Sequence, residues 1–244
     1  MLNLGNKFIF RNPHRTWYKS LSTIYQSQSI NLVDQIEHVL IGGKDKFNLL
    51  SEGFRGIKQI GIIGWGSQAP SQALNLRDSL TSINSDINIK VGLRENSNSI
   101  KNVLANNFEV DTMENVLQES DLNLILISDT AQVNLHSKIF DNVKPGSTLG
   151  FSHGFLLGHL QNTNNHFPNN VNVIMMAPKG MGPTVRDKYL EGSGINSSIA
   201  VNQDIDGKAY DQVVSWALGT GSPYIFNTTI EKEYKSDIFG ERAI

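Results

Sequence analysis

The sequence predicts an α/β fold built on a doubly wound sheet, and three observations carry that reading. The apolar run Ile60-Gly61-Ile62-Ile63 meets Gly64-Trp65-Gly66-Ser67-Gln68-Ala69, a Gly-x-Gly-x-x-Ala turn that opens onto a helix-like stretch from Pro70 to Leu80. From Lys58 onward, short apolar strands alternate with polar or amphipathic connections, the order that places helices over both faces of a parallel sheet. Polar clusters follow several of those strands, at the carboxyl ends where such sheets bind ligands.

Taken in order, the strands are expected over Gln59–Ile63, Ile87–Leu93, Leu122–Ile127, Thr148–Phe151, Val171–Met176 and Ser198–Val201. Ile87, Ile89, Val91 and Leu93 alternate along the second of them, the period of a strand. Between the earlier strands, Ser71–Leu80, Ile100–Asn106, Met113–Glu119 and Gln132–Asp141 read as helices. Gly42-Gly43 marks a turn before Phe47–Leu50, and the Asn-rich Gln161–Asn170 reads as a loop.

Residues 1–33 differ from the rest. They carry Lys7, Arg11, Arg15 and Lys19, many Ser and Thr, and no Asp or Glu before Asp34. That composition suits an organellar transit peptide, which would send the chain to a plastid or mitochondrion. It suits equally a flexible or partner-binding arm on a cytoplasmic protein. Residues 34–57 form a lead-in to the alternating pattern.

Bulk properties narrow the function classes. At 244 residues and 39% hydrophobic, the chain can bury a core. Its net charge of −2 offers no electrostatic case for nucleic acid, and no apolar stretch reaches the length of a membrane span. The absence of cysteine excludes disulfides, thiolate nucleophiles and cysteine-type zinc sites.

The turn has a direct chemical reading. Gly64 permits the tight bend, Gly66 lets the backbone approach a pyrophosphate, and the helix start offers unpaired N–H groups and a partial positive charge. Ala69 stands where helix meets strand. An NAD site favours an acidic residue at the end of the second strand, to accept from the ribose 2′-OH. This chain has Arg94 there, then Ser97 and Ser99, a guanidinium and two hydroxyls suited to a 2′-phosphate, and therefore to NADP. Glu95 opposes that reading unless its carboxylate points outward.

Further constellations follow later strands. Ser128-Asp129-Thr130-Ala131-Gln132 ends one strand and Ser152-His153-Gly154 the next. His153 is a candidate for proton transfer or polar positioning near a carbonyl. Pro178-Lys179-Gly180-Met181-Gly182-Pro183 is a shaped loop in which Lys179 could meet an anion; a lone loop lysine is more often simply solvated. Asp237 and Glu241, four apart, share a face if the segment is helical. Carboxylates of this kind suit Mg²⁺, though such a pair is commonly a solvated face.

Taken together, these blocks resemble the ketol-acid reductoisomerase (acetohydroxy-acid isomeroreductase) family in its plant-type form, from about Asn31 to the last residue. The resemblance is carried by Gly64-Trp65-Gly66-Ser67-Gln68, by Gly92-Leu93-Arg94 with Ser97 and Ser99, and by Ser152-His153-Gly154-Phe155-Leu156-Leu157-Gly158-His159-Leu160. Pro178 to Pro183, Gly194-Ile195-Asn196-Ser197-Ser198 and Glu233 to Arg242 complete it. It implies that Gly64, Gly66, Ser67 and Gln68 hold the NADPH pyrophosphate, that Trp65 belongs to the same cofactor-binding turn, and that Arg94, Ser97 and Ser99 hold the 2′-phosphate. Ser128, Gln132 and Gly182 would line the nicotinamide side. Asp237 and Glu241 match metal-binding carboxylates, and His153 and Lys179 match the active-site histidine and lysine.

The reaction implied is a Mg²⁺-dependent alkyl shift on a 2-acetyl-2-hydroxy acid, then NADPH reduction to a 2,3-dihydroxy acid. That chemistry belongs to branched-chain amino-acid (valine and isoleucine) biosynthesis. The organisation expected is a Rossmann-type NADP-binding domain over residues 58–230 and, over 231–244, the start of a helical metal and substrate domain. The family supplies further carboxylates from that domain, so this chain is expected to bind NADPH and to turn over weakly or not at all alone. A homo-oligomer is compatible with the complete enzyme. Two other readings remain open on the residues: another NADP-dependent hydroxyacid dehydrogenase, and a non-catalytic NADPH-binding fragment or interaction protein.

Overall fold

The computed structural model describes residues 22, 24–32 and 35–243, without the side chains of residues 32, 35 and 241–243. Most of the basic arm lies outside the described residues. Among the described residues, ten strands form one sheet in the order β1-β2-β10-β9-β8-β7-β6-β3-β4-β5. In chain order these are β1 (Ser27–Leu32), β2 (Gln35–Ile41), β3 (Gln59–Ile63), β4 (Asn88–Leu93), β5 (Glu109–Thr112), β6 (Leu122–Ile125), β7 (Thr148–Phe151), β8 (Asn172–Pro178), β9 (Ser197–Gln203) and β10 (Tyr224–Asn227).

The six neighbours β5-β4-β3-β6-β7-β8 are parallel throughout. This is the doubly wound dinucleotide-binding order, and it reverses between β3 and β6. Beyond β8 the all-parallel expectation fails. β9 runs antiparallel to β8, β10 is parallel to β9, and the β1–β2 hairpin adds two antiparallel edges. Apolar runs report burial rather than direction, so the reversal was not written in the pattern. The sheet also takes in Ser27–Leu32, which the acid-poor composition assigns to the arm.

Helices cover both faces. α1 (Leu50–Gly53), α2 (Gln68–Ser82), α3 (Ile100–Ala105), α7 (Gly182–Glu191) and α8 (Ala209–Thr220) lie on one face. There Leu50, Leu76, Val103, Tyr189 and Trp216 pack on the inward residues of the strands. α4 (Met113–Glu119), α5 (Asp129–Asn142), α6 (Phe155–Asn162) and α9 (Ile230–Ala243) cover the other. Val116, Ile139, Leu156 and Ile230 fill that layer. All four expected helices, over Ser71–Leu80, Ile100–Asn106, Met113–Glu119 and Gln132–Asp141, are found with bounds shifted by at most three residues; the last starts at Asp129 because Ser128 caps it. Gln161 and Asn162 finish α6 rather than belonging to the loop.

The strand starts are pinned by Asp121. Its carboxylate accepts from the backbone N–H groups of Lys58 (2.8 Å) and Gln59 (3.2 Å) and from Lys144 Nζ (2.6 Å). Burial opposes its ionisation, but the lysine and the two amides outweigh that and hold its carboxyl below the usual carboxylate range. Fixing β3 against β6 at this end aligns their carboxyl ends at the other. Among the described residues no helix is long and apolar enough to cross a membrane.

Candidate functional site

The glycine turn leaves β3 at Gly64, whose φ of 99° is a left-handed conformation that favours glycine. A side chain there would also strike the Leu126 carbonyl and Ile127. Gly64 N–H donates to the Gly92 carbonyl at 3.0 Å, tying the turn to β4. α2 begins at Gln68 with no side-chain cap and no acidic residue in its first turn. Its first amides are thus available to an anion. Ala69 is fully buried at the helix–strand contact.

A cleft of about 840 Å³ opens at the carboxyl ends of the strands. It brings together Gly66, Ser67 and Gln68 after β3, Ser128 and Gln132 after β6, His153 after β7, Lys179 after β8, and Asp237 from α9. Gln68 Nε2 donates to the Gly180 carbonyl at 3.0 Å, so the cofactor turn braces the loop that carries Lys179. The fully buried Gln72, one turn further along α2, donates to Ser152 Oγ at 2.9 Å and accepts from Trp216 Nε1 at 3.0 Å. Gly182 sits against the same turn, and a Cβ there would overlap the Ser67 carbonyl oxygen.

Two side chains after β6 differ in their commitments. Ser128 Oγ accepts from Ala131 N–H at 3.4 Å and caps α5. Gln132 Nε2 donates to the Ile127 carbonyl at 3.0 Å, while its buried Oε1 has no partner. An orphaned acceptor at a cleft wall calls for a donor from outside the chain. The carboxamide N–H₂ of a nicotinamide is such a donor, and the residues present fit that cofactor.

His153 stands between two carboxylates. Its Nε2 lies 2.6 Å from Asp237 Oδ2 and its Nδ1 3.4 Å from Asp129 Oδ1. Asp129 first, and Asp237 after it, raise the imidazole pKa above its ordinary value against the opposing effect of partial burial. Phe155 N–H also donates to Nδ1 at 3.2 Å and competes for that lone pair. In the neutral ring Nε2–H therefore donates to Asp237, and protonation turns Nδ1–H toward Asp129.

Lys179 forms an ion pair with Glu233, which is only 6% exposed at the start of α9. Glu233 was not among the residues that motif reasoning selects. Its signal was the spacing Glu233, Asp237, Glu241, three carboxylates at intervals of four along one helix. Asp237 lies in the cleft; Glu241 follows one turn later, and its side chain lies outside the described residues. Among the described residues no group of three or more His, Asp or Glu could hold a metal ion. Asp237 and Glu241 are carboxylates, the donor type that suits Mg²⁺.

The second predicted subsite lies beside the first. Ile63 pairs with Gly92, so the end of β4 adjoins the glycine turn. Ser97 N–H donates to the Arg94 carbonyl at 2.9 Å, and Ser97 Oγ accepts from Ser99 N–H at 3.3 Å, so the loop is a tight turn into α3. Arg94 is exposed, and with Glu95, Asn96 and Lys138 it borders a second cavity of about 690 Å³. Trp65 lines neither cavity. Its indole turns to α3 and donates to Asn102 Oδ1 at 2.7 Å.

Residues 56–224 match the family described as acetohydroxy acid isomeroreductase, NADPH-binding domain. The chain is 49% identical over 242 residues to a chloroplastic ketol-acid reductoisomerase of Spinacia oleracea, covering 95% of this chain and 41% of that protein. It is 50% identical over 233 residues to the chloroplastic ketol-acid reductoisomerase of Pisum sativum, covering 91% and 40%. The structure of an NADH-preferring ketol-acid reductoisomerase from an uncultured archaeon superposes with a TM-score of 0.71 at 30% identity, over 84% of this chain and 60% of that one. The chain thus spans about two fifths of the length of these curated plant relatives. On the family match, the chain belongs to the acetohydroxy acid isomeroreductases, of which it carries the NADPH-binding domain.

Proposed function

We propose that the cleft holds NADPH across the β3/β6 switch point and serves ketol-acid isomeroreduction in branched-chain amino-acid synthesis. The observation that carries this reading is the convergence of the Ser67–Gln68 turn, Gln132, His153 and Lys179 in one cleft. The α2 amides with Gly64, Gly66, Ser67 and Gln68 receive the pyrophosphate, and Arg94, Ser97 and Ser99 the 2′-phosphate. Gln132, with its unpartnered Oε1, would hold the carboxamide of the nicotinamide in the cleft it shares with His153 and Lys179, with Ser128 and Gly182 beside it. The domain spans residues 58–230, and α9 begins the metal and substrate portion.

The substrate would be a 2-acetyl-2-hydroxy acid, and bound NADPH would supply the hydride for its reduction once the alkyl group has moved. Asp237 and Glu241 would hold Mg²⁺, which supplies Lewis-acid polarisation of the substrate oxygens. Lys179 offers a cation to anionic oxygen, and Glu233 keeps it in place. His153 takes up or gives up a proton at Nδ1, the nitrogen that faces Asp129, while its Nε2–H keeps the bond to Asp237. The chloroplastic relatives, with the basic, acid-poor residues 1–33, support a plastid-targeting role for that arm.

Calorimetric titration with NADPH and NADH, with and without Mg²⁺, tests the cofactor reading: NADPH should bind the more tightly in both conditions. Binding of neither cofactor to the folded chain would overturn it. Any 2-acetolactate-dependent oxidation of NADPH should require Mg²⁺ and be lost in Asp237→Asn; activity that survives the substitution would refute the metal assignment.

A further inference from the structure

Trp65 occupies the middle of the glycine turn, yet its side chain belongs to the neighbouring subsite. The indole Nε1–H donates to Asn102 Oδ1 at 2.7 Å, and the ring packs edge-on against Phe108 with centroids 5.5 Å apart at 65°. The Arg77 guanidinium lies 4.3 Å from the centroid of the same Phe108 ring and donates to the Asn106 carbonyl. Asn106 Nδ2 donates back to the Asn102 carbonyl at 2.8 Å. Asn102 stands on α3, directly after Ser99 and the tight turn that presents Arg94. A continuous strut therefore runs from the glycine turn through Trp65 and Asn102 into the loop read as the 2′-phosphate site.

We propose that Asn102 is a positioning residue for selection of NADPH over NADH, a role that rests on the Arg94/Ser97/Ser99 reading above. NADPH is held at two anionic anchors, pyrophosphate and 2′-phosphate, on two separate loops. Binding at the second anchor is efficient only when its distance from the first is fixed beforehand. NADH lacks the 2′-phosphate and is insensitive to that distance. The Gly64 N–H bond to the Gly92 carbonyl fixes the strand ends, and the bond between Asn102 and Trp65 adds a second tie, to the helix that follows the 2′-phosphate loop. Asn102 is exposed, so it can be changed without opening the core, and the effect of its loss is on placement.

The test measures the dissociation constants of NADPH and NADH for the chain and for Asn102→Ala, Trp65→Phe and the double variant. Trp65→Phe removes the indole donor while leaving an aromatic, though smaller, side chain beside Phe108. Each single variant should weaken NADPH by about five- to tenfold, the loss of one neutral hydrogen bond, and NADH by less than about twofold. The double variant should be no weaker than Asn102→Ala, which by itself removes the bond to Trp65 along with the 3.3 Å bond from Asn106 Nδ2 to Asn102 Oδ1. In ¹H–¹⁵N spectra the Trp65 indole resonance should move in Asn102→Ala. Equal losses for both cofactors, or an unchanged preference, would overturn the role of Asn102. A parent chain that does not prefer NADPH would instead overturn the 2′-phosphate reading beneath it.

Discussion

His153 Nε2 lies 2.6 Å from Asp237 Oδ2, a bond that fastens α9 to the end of β7. Other ties nearby include the Lys179–Glu233 ion pair, the close seats of Gly154 and Gly158 against Tyr234, and the burial of Ile230 in the core. His153→Ala should therefore loosen α9 while sparing the cofactor turn. Amide hydrogen exchange should quicken by about fivefold or more over residues 231–240, with β3 and β6 unchanged. Unaltered exchange in α9 would show that the imidazole is not what holds it.

Arg94 is the lone cation in the Arg94–Ser99 turn. Arg94→Ala should weaken NADPH by about 10- to 100-fold, the scale of a charge-assisted hydrogen bond, and leave NADH nearly untouched. Calorimetry with each cofactor checks this, and a parallel loss for NADH would place Arg94 elsewhere on the cofactor.

Gly182 bears on cofactor binding through contact with the turn. A methyl group there meets the Ser67 carbonyl oxygen, a backbone atom that cannot swing aside. Gly182→Ala should cost about 1–3 kcal/mol of stability and also weaken NADPH binding, because the displaced turn carries the pyrophosphate donors. Thermal melts and cofactor titration together decide it; an unaffected NADPH affinity would separate Gly182 from the cradle.

The pH dependence of stability should follow Asp121. Its carboxyl is held below the usual range in the fold, so its contribution is present above the unfolded value of about 3.9 and disappears as pH falls through the folded value. Asp121→Asn should cost about 1–2 kcal/mol at neutral pH, limited by the partial exposure of Lys144. Urea melts of the two proteins should converge as the pH falls through that folded value. A gap that persists below it would rule out the ionised carboxylate as its source.

What was legible in the sequence was mostly local. Gln59–Ile63, Thr148–Phe151 and Met113–Glu119 are found with the expected bounds, because period and flanking residues specify them. The polar residues after β6, β7 and β8 converge because a parallel sheet places every such end on one side. β5 escaped notice because Glu109–Thr112 is short and largely polar. α8 escaped because Gln212 to Thr220 are buried on all sides, leaving no polar face to show a period. The antiparallel β9 and the partnership of Glu233 with Lys179 are tertiary facts with only faint local traces. Trp65 shows the same limit, since position in a turn does not say where an indole points.

The central claim, that NADPH runs from the Arg94 loop beside the second cavity into the cleft at Gln132, is tested most directly by mapping its binding on ¹H–¹⁵N spectra of the chain. NADPH should perturb the amides of residues 64–68, 94–99, 128–132 and 179–182 together, with NADH sparing the 94–99 group. Perturbation confined to one of these segments, or lying outside all of them, would contradict the account.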